Sequence, residues 1–103
     1  MAFLYRLVPP RPSYLDDMSE REAEVMETHG AYWMGLLQRG TAIAYGPVLD
    51  PDGVWGLGLL DVEDEGEARE LVDQDPAVTS GVCTYRLLEV RLARPGSEDG
   101  GGS

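Results

Sequence analysis

From Ala2 to Val8, Phe3, Tyr5 and Leu7 alternate with Ala2, Leu4, Arg6 and Val8. This is the period-two pattern of a strand. Both sets are largely apolar, which predicts a strand covered on both faces. Pro9, Pro10 and Pro12 end it and open a loop. The period then lengthens. Ser19-Glu20-Arg21-Glu22 reads as a capping box, in which the Ser19 hydroxyl accepts the Glu22 amide and the Glu22 carboxylate reaches back. It predicts a helix from Ser19 to Arg39, stopped by Gly40. Its apolar stripe is Ala23, Met26, Trp33, Leu36 and Leu37, and His29 falls on the same stripe.

Thr41 to Val48 predicts a second strand, with Gly46-Pro47 marking a strand exit, edge or bulge because proline cannot donate to a ladder. The turn signal Asp50-Pro51-Asp52-Gly53 joins it to a third strand, Val54 to Val62, in a hairpin. Gly56 and Gly58 leave part of that strand without side chains. Asp64 to Gln74 predicts a short helix with Ala68, Leu71 and Val72 inward. Asp75-Pro76 ends it, because a residue before proline is pushed out of the helical region. Val82 to Leu92 predicts the fourth strand. Its alternation changes phase at Leu87-Leu88, which reads as a bulge. Residues 93–103 are polar, acidic and rich in glycine and serine, and predict a flexible tail.

The order β-α-β-β-α-β, over a single domain of residues 1–92, predicts an α+β ferredoxin-like fold, with two helices on one face of a four-stranded antiparallel sheet. The opposite face would be bare in a monomer, yet it carries large apolar residues. The expectation is a homodimer packed through that face.

Charge narrows the partners. Eight arginines, no lysine and 19 acids give a net charge of −11, which speaks against nucleic acid, whose phosphates need a basic face, and against an anionic membrane surface. The acids cluster on the helices, as a solvated shell. No apolar run approaches the roughly 18 residues of a membrane span, and the N-terminus lacks the regions of a signal peptide. The expectation is a soluble cytoplasmic protein. One cysteine, Cys83, rules out an internal disulfide and reads as a core or interface thiol. Metal binding has poor support, with one histidine, one isolated cysteine and carboxylates mostly on outer faces.

Few residues are left to carry chemistry. Histidine titrates near neutrality, so His29 is the natural general acid or base, although a satisfied histidine on a helix face has the same appearance. Asp75 can orient an imidazole and stabilise its charged form, or simply stop a helix. Gly56-x-Gly58 is no phosphate cradle, because it lies inside a strand and opens no helix. Close packing or room for a ligand accounts for it better. Most of the tyrosines and tryptophans belong to the core or an interface.

His29 in the first helix, Gly40 at its end, Gly46-Pro47, the turn glycine Gly53, Ala68, Asp75-Pro76 and Gly81-Val82 form an ordered set. In this set the sequence resembles the YCII-related family of small ferredoxin-like proteins, over roughly Ala2 to Leu92. The resemblance implies a dimer similar to the muconolactone isomerase and small monooxygenase group. It also implies an active site that pairs His29 with Asp75. The family includes a dehydrochlorinase acting on a chlorinated hydroxyhydroquinone. Thr28-His29-Gly30 and the short Asp50-Gly53 turn depart from many relatives, and bear on substrate shape.

The reading that follows is a cofactor-independent enzyme acting by proton transfer on a small cyclic or aromatic compound, through elimination, isomerisation or cyclisation. His29 moves the proton and Asp75 holds the imidazolium. Tyr5, Trp33, Tyr45 and the Gly46 backbone line the pocket. No cofactor, metal, nucleic acid or membrane is expected. The alternative is a non-catalytic dimeric module that binds a small ligand or assists a partner enzyme. An oxygen-using monooxygenase of similar fold is a third reading, for which nothing in the sequence shows how oxygen would be activated.

Overall fold

A strand apolar on both faces belongs in the middle of a sheet, and that is where β1 (Ala2–Val8) lies in the computed structural model. The model describes residues 1–93 and 95, so most of the expected tail falls outside the described residues. β1 pairs antiparallel with β3 (Trp55–Asp61) on one side and β4 (Thr84–Val90) on the other. β2 (Ala42–Val48) adds to the free edge of β3, giving the order β2-β3-β1-β4. This is the four-stranded antiparallel α+β sheet of the ferredoxin-like fold. No helix among the described residues is long and apolar enough to cross a membrane.

Two long helices follow the sequence pattern closely. Before α2 (Glu20–Gln38), the Ser19 side chain accepts from the Glu22 amide and the Glu22 side chain accepts from the Ser19 amide. α3 (Glu65–Asp73) is capped by Asp64, whose side chain accepts from the Glu67 amide. Two single-turn helices were not expected. α1 (Tyr14–Asp17) interrupts the proline-rich loop, and α4 (Pro76–Thr79) follows the Asp75-Pro76 step.

The core forms on one face of the sheet. Phe3, Tyr5 and Leu7 point into it and are each no more than 2% exposed, packing with Trp33 and Leu36 of α2, Ala68 and Val72 of α3, and Ala77 of α4. The register places Leu4 beside Leu59 and Leu88 on the opposite face. Cys83 belongs to the core, where burial pushes its thiol up to about 11.

Two expectations are corrected. The inward stripe of α2 runs through Val25, Met26, His29, Tyr32, Trp33 and Leu36, while Ala23 and Leu37 are exposed. The helix turns to seat the larger side chains, and Ala23 has little apolar area to gain from burial. β4 has no bulge at Leu87-Leu88. Its register against β1 is continuous from Thr84 to Val90. The adjacent leucines serve two faces, with Leu87 packed against the core and Leu88 41% exposed on the other side. The irregularity lies in β2 instead, where pairing with β3 shifts between Ala42 and Ala44.

Candidate active site

Asp75 owes its position to the proline that follows it. Pro76 keeps Asp75 out of the helical region, at φ −61° and ψ 125°, and itself takes the first position of α4. Asp75 thereby becomes the N-cap of α4, and its Oδ1 accepts the Ala77 amide at 2.9 Å. The Asp-Pro pair therefore both stops α3 and starts α4. The cap lies at the bottom of the fold's interior, where Asp75 is 0% exposed.

Three more side chains reach the same carboxylate. Tyr5, from the central strand, donates its hydroxyl to Oδ2 at 2.7 Å. Trp33 donates its indole N–H to Oδ2 at 2.9 Å. His29 Nδ1 lies 2.9 Å from both oxygens. His29 and Trp33 are four residues apart on α2, so they share one face and converge on one target. β1, α2 and the start of α4 thus meet at a single buried anion.

The electrostatics follow from these contacts. Burial pushes the Asp75 carboxyl up. The hydrogen bond and charge of His29, with the hydrogen bonds of Trp33 and Tyr5, outweigh that and hold it below the usual carboxylate range. Burial, reinforced by the charge of Asp75 and the hydrogen bond to it, raises the Tyr5 phenol far above its ordinary value, so Tyr5 is always a donor here. An ionised carboxylate can only accept, so His29 Nδ1 carries the proton that faces it. The second nitrogen, Nε2, has no hydrogen-bond partner among the described residues.

His29 forms part of the wall of a cavity of about 190 Å³. Tyr5, Trp33, Tyr45 and Gly46 line it too, and Asp75 lies behind His29 and Trp33 rather than on the wall. Tyr5 stacks on Trp33 with ring centroids 5.1 Å apart, and Tyr45 lies 6.1 Å from Trp33. The remaining wall was not legible in the sequence. Tyr14 and Leu15 come from α1, and Val54 and Trp55 from the end of the hairpin. Their contribution depends on how the proline-rich loop folds back over the sheet. Arg11 fixes that loop by binding Asp17 and, through two nitrogens, Glu22. The proline cluster was the one local sign of a stiff, folded segment. Tyr5 and Trp33 also do more than line the cavity, because their polar ends hold Asp75.

Fold and site together define a small ferredoxin-like α+β domain in which a half-buried histidine on the wall of an apolar cavity is paired with a buried aspartate. The family model of the YCII-related domain matches residues 2–91, and the chain belongs to that family. Its fold is similar to that of TftG, the 5-chloro-2-hydroxyhydroquinone dehydrochlorinase of Burkholderia phenoliruptrix AC1100, solved in complex with 2,5-dihydroxybenzoquinone. The TM-score is 0.68 at 20% identity, over 90% of this chain and 96% of that one. At this identity the likeness is one of fold. No curated protein matches the chain by sequence.

Proposed function

We propose that this chain is a cofactor-independent enzyme that moves a proton on a small cyclic or aromatic molecule, with His29 as the general acid–base and Asp75 as its orienting partner. The 2.9 Å approach of His29 Nδ1 to a buried, ionised Asp75 carries this reading. With Nδ1 committed, Nε2 presents a lone pair to the cavity. It takes a proton from an acidic C–H or O–H of the substrate, and Asp75 stabilises the imidazolium that forms. In isomerisation the proton returns to another atom of the same molecule. In elimination the electron pair of the broken bond expels a leaving group. The fold shared with a dehydrochlorinase of a small ring compound supports the same class of substrate.

Replacing His29 by Gln removes the base and keeps a side chain of similar polarity. Against a panel of halogenated and hydroxylated single-ring compounds, turnover of any substrate found should fall by about 10²–10⁴-fold. Unchanged turnover in His29→Gln would show that the proton moves elsewhere.

The open face of the sheet belongs to the same proposal. Leu4, Leu57, Leu59 and Leu88 share it, on a chain too small to leave such a patch in water without cost. A second copy of the chain is the occupant that buries it symmetrically. Light scattering at micromolar concentration should give twice the chain mass of 11.3 kDa. A monomeric mass rejects the dimer and leaves the His29 mechanism standing.

A further inference from the structure

The cavity wall is unusual in its charge. Among the described residues that line it, His29 is the one able to become positive, and none is an arginine, aspartate or glutamate. When His29 is protonated, the carboxylate 2.9 Å away already neutralises it. Two guanidinium groups touch wall residues from outside. Arg11 lies 5.4 Å from the Tyr14 ring and is bound to Asp17 and Glu22. Arg6 lies 4.5 Å over Trp55, on a strand position that faces away from the helices.

We infer that this cavity takes uncharged single-ring compounds with an acidic O–H or C–H and turns away aromatic carboxylates, an inference that rests on reading the cavity as the substrate site. A carboxylate that enters leaves water for a hydrocarbon wall and meets no unpaired cation among the described wall residues, which is a heavy penalty. It also brings a second negative charge close to Asp75. A neutral substrate avoids both costs. When its proton passes to His29, the electron pair of the broken bond stays on the ring. The new anion then lies beside the new imidazolium, and the total charge of the site does not change. Size sets a further limit. An apolar cavity of roughly 150 Å³ holds benzene, so the 190 Å³ here suits one ring with a few small substituents.

The test uses a matched pair of probes, hydroquinone and its carboxylated counterpart 2,5-dihydroxybenzoate, near neutral pH. Both tryptophans of the chain, Trp33 and Trp55, line the cavity, so intrinsic fluorescence reports occupancy, with calorimetry as a second readout. Hydroquinone should bind at least about tenfold more tightly than the carboxylate. Leu15 lies on the rim and is 46% exposed, so Leu15→Arg can add a cation without disturbing the core. This variant should narrow the ratio between the two probes, by binding 2,5-dihydroxybenzoate more tightly relative to hydroquinone than the unaltered chain does. Equal binding of the two probes to the unaltered chain overturns the selectivity but leaves the cavity as the site. Unchanged discrimination in Leu15→Arg overturns the argument from charge. If neither probe binds, the selectivity falls together with the reading of the cavity as the substrate site.

Discussion

Asp75→Ala should unfold in far less urea than the unaltered chain, with a loss of about 3–5 kcal/mol and an unchanged m-value. Asp75 is 0% exposed, and the Tyr5 hydroxyl, the Trp33 indole and the Ala77 amide donate to no other acceptor among the described residues. Alanine leaves the Tyr5 hydroxyl and the Trp33 indole N–H unpaired in the core, each at a cost of about 1–3 kcal/mol. It also removes the cap of α4, worth about 1 kcal/mol. A domain of this size has on the order of 5–15 kcal/mol in total, so this substitution removes a large part of it. Asp75→Asn keeps one acceptor oxygen and should lie between the two. A loss below about 1 kcal/mol in Asp75→Ala would mean that the donors find other partners.

The same carboxylate sets an acid limit. Its folded-state value lies below the ordinary one, so its contribution is fully present above the unfolded carboxyl value of about 3.9 and is lost as pH falls through the folded value. Asp75→Asn cannot titrate there. Its urea midpoint should therefore fall less steeply than that of the unaltered chain on going from about pH 5 to about pH 3. Parallel slopes would assign the acid sensitivity to other carboxylates.

The order of elements and the location of the core were legible because the signals were local. The capping box at Ser19, the alternation of Phe3, Tyr5 and Leu7, and the Asp50–Gly53 turn each act within a few residues of themselves. The approach of Asp75 to His29 spans 46 positions, and no local pattern encodes it. The two residues were paired through the family resemblance, and their chemical types made the pairing sensible. Asp75-Pro76 also held an unread signal, since aspartate before proline is an N-cap followed by a favoured first helical residue as much as it is a helix stop. The phase change at Leu87-Leu88 misled because a two-sided apolar strand and a bulged strand look alike in sequence. Tyr5 and Trp33 read as cavity lining, and their grip on Asp75 became visible only once three elements were brought together.

Gly58→Ala should cost about 3 kcal/mol, near the upper end for overpacking. The sequence left two readings of the glycines in β3, close packing or room for a ligand, and at Gly58 it is packing. A Cβ there would stand 2.5 Å from the far edge of the Trp33 ring, at Cη2, and 2.8 Å from Cζ3. Those are impossible distances, so the indole must move. It has little freedom to do so, because its N–H is held by Asp75 at 2.9 Å and its face by Tyr5 at 5.1 Å. A rigid bicycle pushed at one end swings at the other, so the methyl group on β3 breaks a hydrogen bond on the far side of the ring. The loss thus combines strain with a partly orphaned anion.

Glycines in α2 give the contrast. A Cβ at Gly35 meets nothing within 4 Å, so Gly35→Ala should gain up to about 1 kcal/mol from helix propensity. Trp33→Phe then isolates the cause. Phenylalanine lacks the outer ring atoms that collide, so in that background Gly58→Ala should cost at least about 1 kcal/mol less than it does beside Trp33. Urea midpoints of the two single variants and the double variant measure this coupling. Strict additivity would show that the strain arises from the strand and not from the indole.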